Sequence, residues 1–346
     1  MALIAGSTYT YKEGIIDNKG IMLTIKNRAE EQGWIVLKYD VVDYDVLVLK
    51  APDGSFCVGF QELTSTLNEV YNIEVTMFKD FNDKNGIHNQ LLSIPKDEHK
   101  GFNEGNHPPQ LVCAADSTDM WLQITPDYIS AIVKSPIDAS PTKLYTTFYA
   151  GRFNSYAEKE QYFLPIFCGG SGQAEDNILT QDGKTPSDSS VNSLGFDTFS
   201  NYMFSRRDSP TSSSYRSGDY FLSPDGRWVP LGSGASGAVD SYPNLSTSNV
   251  PPYFQNATIF PIAGLMYATK GSMIDGEYIL RPIIIIGQPD YTEKSSMMGE
   301  IFNIYRVEDE TLVAEDEIVV DGENYIVFHD VYRDLNSNNL FALKVI

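Results

Sequence analysis

The chain has 346 residues, 42% of them hydrophobic and 21% charged, with a formal net charge of −21. That balance excludes a disordered or collagen-like chain, and the length suits one large or two medium cores. So acidic a chain repels phosphate backbones, which counts against direct nucleic-acid binding, and it keeps an assembly component soluble until partners arrive.

Aromatic residues reach 12%, with 21 Tyr and 18 Phe, which favours strands and interfaces and predicts a mainly β protein. Cys57, Cys113 and Cys168 are odd in number and lack Cys-x-x-Cys spacing, so they form no disulfide framework and point to a reducing compartment. His88, His99, His107 and His329 are scattered, which predicts no metal site. The segment Met1 to Ser7 has no basic stretch and no sustained apolar run, so no signal peptide is expected. The most apolar run, Pro282 to Gly287, is too short to span a bilayer. Cytoplasmic synthesis without a membrane partner follows as an expectation.

In chain order, residues 19–33 read as a helix with Met22, Ile25 and Ala29 on one face and Gly33 as its stop. Strands follow at 34–39, 45–50 and 55–60, the last two joined by a turn at Pro52-Asp53-Gly54. Residues 61–82 are ambiguous, since Leu63, Leu67, Val70 and Tyr71 have helical spacing; the alternation from Val70 to Phe78 decides for a strand there. A long polar loop is expected over 82–109. The run Met120 to Ile124, a turn at Thr125-Pro126-Asp127 and the run Tyr128 to Lys134 spell a hairpin. Leu144 to Ala150 is a further strand.

From 169 to 258 the chain is rich in Ser, Gly, Asn, Asp and Pro, yet aromatic residues punctuate it, and Ser223-Pro224-Asp225-Gly226 marks a turn. So long a stretch with little regular structure predicts a functional loop. Tyr202, Phe204, Tyr215, Tyr220, Phe221, Trp228, Tyr242, Tyr253 and Phe254 lie within it or at its turn. Three readings of these aromatics stand open: contact with neighbouring subunits, which we favour, sugar binding, or packing back on their own domain. Beyond it, strands are expected at 278–286, interrupted by Pro282, and at 300–307. A hairpin about Asp321-Gly322 and a closing strand over 340–345 complete the chain.

Reactive chemistry has few handles. Cys168 or Ser171 beside Gly169 and Gly170 would have amides for an oxyanion hole, but no motif places a base near them; the plainer reading is a buried small hydrophobe and a flexible strand exit. Asp116 and Asp119 are a possible carboxylate couple for glycoside hydrolysis, in a chain with 46 acidic residues where such pairs arise by chance. Asp182-Gly183, Asp225-Gly226 and Asp321-Gly322 read as turns rather than calcium loops. The acceptor-like triplets at Asn244 and Asn256 carry no meaning without a secretory signal. The expectation is a non-enzymatic chain with no cofactor.

The order of segments resembles a family of structural proteins of tailed-bacteriophage virions. It is carried by Gly33-Trp34, Val58-Gly59-Phe60, the stretch from Tyr71 to Glu74, and the hairpin from Trp121 to Lys134. Tyr149-Ala150-Gly151-Arg152-Phe153, Phe163-Leu164-Pro165 and Gly169-Gly170-Ser171 follow. Pro224-Asp225-Gly226-Arg227-Trp228, Gly299-Glu300-Ile301-Phe302, Tyr325 to Phe328 and Val331-Tyr332-Arg333 complete the set. The resemblance covers about 20–346. It departs at the central hairpin, where family members carry Asn-Gly-Arg-Arg and this chain has Thr125-Pro126-Asp127-Tyr128.

The resemblance implies a part of the particle, in tail, neck or baseplate, with no catalytic residues to transfer. The combined expectation is a β-rich α+β protein of antiparallel, sandwich-like sheets with one N-terminal helix. It has a unit over 1–110 and a second over 111–346, and its partners are other copies in a cyclic homo-oligomer and other virion proteins. It would be assembled in a bacterial cytoplasm and reside in the virion. The alternative is a receptor- or glycan-binding module of the baseplate or tail tip.

Overall fold

The computed structural model describes residues 18–40, 45–65, 70–94, 108–114, 119–135, 144–170, 220–226, 228–230, 256–260, 273–274, 277–288, 296–307, 309, 311–329 and 340–345. The chain is β-dominated, as its composition predicts, with antiparallel sheets and an N-terminal helix. Helix α1 (Asn18–Glu31) buries Ile21, Met22, Ile25 and Ala29 on one face. It ends at Gly33, whose φ of +84° only glycine adopts freely, and the Trp34 amide returns to the Ala29 carbonyl at 2.9 Å.

Strands β1 (Ile35–Asp40), β2 (Val46–Lys50), β3 (Cys57–Ser65), β4 (Val70–Phe78) and β5 (Gln110–Ala114) form the first sheet, each paired with the next. The ambiguity at 61–82 resolves with a strand on each side: Leu63 belongs to β3, and β4 has the bounds the alternation predicts. The segment 79–94, read as loop, carries a 3-10 turn at Ile87–Asn89 and covers the outer face of this sheet. Ile87 and Phe81 pack there on Val46, Val48, Cys57 and Phe78. Gly59 makes room for that packing, since a Cβ on it would stand 2.9 Å from the Phe78 ring.

Strands β6 (Asp119–Ile124), β7 (Tyr128–Ser135) and β8 (Leu144–Arg152) begin the central sheet. The short β9 (Asn154–Ser155) leaves it, and β10 (Ile166–Gly170), β11 (Tyr220–Leu222) and β12 (Trp228–Pro230) complete the order β12-β11-β10-β8-β7-β6. The third sheet is built from β13 (Asn256–Phe260) and, after a small hairpin of β14 (Met273–Ile274) and β15 (Glu277–Tyr278), from five further strands. These are β16 (Arg281–Gln288), β17 (Ser296–Val307), β18 (Glu317–Val320), β19 (Glu323–His329) and β20 (Leu340–Val345). Its order is β13-β16-β17-β20-β19-β18, and β9 adds to β17.

The three sheets stack with the central one in the middle. Met120, Leu122, Ile124, Ile129, Ala131, Val133, Phe148 and Ala150 face helix α1 and the first sheet. Trp121, Tyr128, Ile132, Tyr149, Phe167 and Phe221 face the third. Strand alternation does this: odd and even residues emerge on opposite faces, and both faces are buried. The expected units 1–110 and 111–346 therefore share a core, and the last strand of the first sheet runs across their boundary to Ala114.

Candidate functional site

The turns come first, because they aim the side chains. In the turn before β3, the Gly54 amide bonds the Ala51 carbonyl at 2.8 Å, and the Asp53 carboxylate accepts from the Ser55 amide at 3.0 Å and the Ser55 hydroxyl at 2.6 Å. In the central hairpin the Thr125 hydroxyl accepts from the amides of Asp127 and Tyr128, both at 3.2 Å. Arg152 ties the two turns together: its guanidinium pairs with Asp53, donates to the Ser55 hydroxyl at 3.0 Å and lies 3.7 Å from the Asp127 carboxylate. Nearby, the Trp34 indole donates to the Thr125 carbonyl at 2.8 Å and meets the Phe56 ring edge-on. Gly151, opposite Tyr128, lets these backbones close: a Cβ there would sit far inside contact distance of the Asp127 carbonyl.

The second constellation lies between the central and third sheets. Strand β17 does not run flush along β16: Pro282 pairs with Tyr305 and Ile284 with Glu300, so residues 301–304 stand opposite Ile283 alone. Pro282 has no amide to continue a ladder, and the surplus residues bulge. Asn303 sits in that bulge at a φ of +60°, a conformation asparagine tolerates better than most residues. Its amide donates to the Tyr128 hydroxyl at 2.8 Å. That hydroxyl donates to Gln123 Oε1 at 3.0 Å, and Gln123 Nε2 donates to the Lys344 carbonyl at 2.6 Å. The chain of bonds thus starts in β17, passes through two side chains of the central sheet and ends in β20.

The Tyr128 ring stacks on Tyr149 at 4.8 Å and on Phe302 at 6.1 Å. Farther along the same face, Glu315 accepts from Lys134 and, at 2.8 Å, from the Tyr145 hydroxyl. Burial pushes the phenols of Tyr128, Tyr145 and Tyr149 well above the usual tyrosine range, and the Glu315 carboxylate pushes Tyr145 further. These phenols are hydrogen-bonding groups held neutral.

Of the aromatics singled out in the sequence, Tyr220 and Phe221 are buried inside the fold, one on each side of β11. This corrects their reading as interface residues, because neither leaves side-chain surface for a second subunit. Trp228 is half-buried against the first core and donates its indole N–H to the Leu92 carbonyl at 2.8 Å. Tyr202, Phe204, Tyr215, Tyr242, Tyr253 and Phe254 lie outside the described residues, as do Ser171, Asp116, Asp182 and Asn244.

Cys168 is buried in β10 with its Sγ 3.8 Å from the Val75 carbonyl, a core position. The glycines after it are strand, not a flexible exit: Gly170 pairs with Phe148, and a Cβ on it would collide with the Thr147 carbonyl. Asp225-Gly226 and Asp321-Gly322 are turns, the latter with φ of +52° and +78°, the double left-handed pattern that closes a tight hairpin. Among the described residues no group of three or more His, Cys, Asp and Glu is placed to hold a metal ion, and no helix is long and apolar enough to cross a membrane.

Sequence reading missed Gln123, Lys134, Tyr145, Asn303 and Glu315. Its one available signal was parity: in 119–135 one set of alternate residues is aliphatic, and the other mixes aromatic, amide, hydroxyl and amine groups.

The fold and the site define a three-layer, antiparallel β protein whose polar chemistry lies between layers. No protein-family model matches the chain, and no curated protein matches it.

Proposed function

We propose that this chain is a structural component of a tailed-phage virion, in the tail or neck region, that works by assembling with copies of itself and with other virion proteins. The observation that carries the reading is at the sheet margins. Strand β1 ends the first sheet with Ile35 50% and Leu37 38% exposed, and strand β18 ends the third with Val319 60% exposed. Apolar side chains exposed on the strands that end these sheets among the described residues suit burial against another subunit. The order of segments, which resembles that of virion structural proteins, supports the same reading. The net charge of −21 favours protein neighbours over phosphate backbones. A cyclic homo-oligomer would repeat such contacts economically around a ring.

Two measurements test this. Purified particles from the source are analysed for the chain by mass spectrometry and located by electron microscopy; its absence from virions sinks the reading. Light scattering on the isolated protein should show a closed oligomer that Ile35→Lys with Leu37→Lys reduces to smaller species. A monomer at every concentration, in both proteins, removes the support drawn from the sheet margins.

A further inference from the structure

We infer that the third sheet is a separable layer: it is located on the central sheet by polar pins and opens as one unit while the helix and the first two sheets stay closed. The inference does not depend on the virion reading.

It rests on how each layer is fastened. Helix α1, the first sheet and the inner face of the central sheet form one continuous, mostly aliphatic cluster. Polar ties there include Arg152 to Asp53 and Trp228 to Leu92, exposed at the margin, and the part-buried bond from the Trp34 indole to the Thr125 carbonyl. Opening that seam would hydrate a large dry surface, which is the costly step.

The third sheet is held differently. Its seam is apolar too, with aromatic rings beside Ile132, Ile283, Ile285, Ile301, Ile304 and Leu343, but polar side chains cross it as well: Asn303 to Tyr128, Gln123 to the Lys344 carbonyl, Lys134 with Tyr145 to Glu315, and Asn154 with Tyr156 to Glu300. Water can replace every one of these bonds when the seam opens, so they fix orientation far more than they resist separation. Two of the anchoring residues, Asn303 at φ +60° and Glu315 at φ +74°, hold left-handed backbone that non-glycine residues seldom adopt. Undocking gives both freedom to relax. Among the described residues, ladder pairing between the layers is confined to β9 with β17, at Ser155–Gly299 and Asn154–Glu300. Small ladders of this kind separate at little cost compared with the long pairings inside each sheet.

Native-state hydrogen exchange on the full chain, read by mass spectrometry at rising sub-denaturing guanidinium, tests the inference. Amides of Ile304–Val307, Val327, Phe328 and Leu340–Leu343 should merge into one opening with a shared denaturant slope. Amides of Leu47–Leu49, Val58–Phe60 and Ile129–Val133 should exchange only through a later, larger opening. Gln123→Leu, which removes both of that residue's bonds at similar volume, should raise exchange in the third-sheet group at least about tenfold and leave the first-sheet group unchanged. A single common opening for all three sheets in the wild type overturns the inference, and so does an equal rise in the first sheet in the variant. If Gln123→Leu does not fold, the wild-type isotherms decide alone.

Discussion

The two faces of the central sheet are cut from the same strands and do different work. In β7 the residues Ile129, Ala131 and Val133 point one way into an aliphatic core, while Tyr128, Ser130, Ile132 and Lys134 emerge on the opposite side of the strand. The aliphatic side is tolerant in orientation, because the hydrophobic effect has no direction. The aromatic side is specific, because each phenol, amide and amine must meet its partner or lose a hydrogen bond in a buried place. A single sheet thus joins one neighbour by bulk burial and the other by matched groups.

The largest break between the faces is expected in alkali. Tyr128, Tyr145 and Tyr149 all have their phenols raised by burial, and all lie on the aromatic side. A raised folded-state value means the neutral form is held by the fold. Their contribution is therefore whole below the unfolded tyrosine value, near 10, and falls away as the pH climbs from there toward the folded values. Stability against guanidinium should be flat from neutral pH to about 9 and drop steeply above about 10. Phenolate absorbance should rise together with unfolding and not before it; free titration of these phenols in the folded protein would contradict the geometry.

Truncation then compares the two sides directly. Phe148 is fully buried on the aliphatic side and meets Phe60 edge-on at 5.5 Å. Phe148→Ala should cost about 3–5 kcal/mol through lost burial and a cavity. Tyr128→Phe keeps the ring stack but leaves Gln123 Oε1 without its hydroxyl donor and Asn303 without its acceptor, for about 1–3 kcal/mol. Lys134→Met should cost less, about 1–2 kcal/mol, since the pair with Glu315 is not fully buried and Tyr145 still donates to the carboxylate. Chemical denaturation of the three variants gives the order, and a Lys134→Met loss larger than that of Phe148→Ala would invert the comparison.

What the sequence made legible was local. Gly33 after an apolar helical face, Asp-Gly between alternating runs, and the Trp121-to-Val133 hairpin each contain their own signal within a few residues, and each forms as read. Strands β5 and β13 carried no such signal. Gln110–Ala114 is short and follows prolines, and it becomes a strand because β4 offers it an edge. The layering was also out of reach, since parity shows that both sides of a strand are buried but not against what. Two readings fail for a shared reason. The glycines after Cys168 read as a flexible exit, and Tyr220 and Phe221 as interface residues; in both cases a distant segment decides. Gly170 exists because the Thr147 carbonyl approaches it, and Tyr220 and Phe221 are buried because β10 and β12 flank them.

The smallest effect belongs to the rim of the aliphatic seam, and it has the opposite sign in pH. Burial alone pushes the Asp53 carboxyl up, but the hydroxyl and amide of Ser55 and the charge and hydrogen bond of Arg152 together outweigh it, leaving Asp53 below the usual carboxylate range. A lowered folded-state value favours the charged form. The contribution is present above the unfolded aspartate value, about 3.9, and disappears as the pH falls through the folded one. Asp53 is half exposed, so solvent screens the pair and the effect at neutral pH is slight. Asp53→Asn should therefore be a little less stable than the wild type at neutral pH, and the two stability curves should converge in strong acid. Curves that stay parallel down to the lowest pH would mean that Arg152 joins the two turns through geometry alone and not through charge.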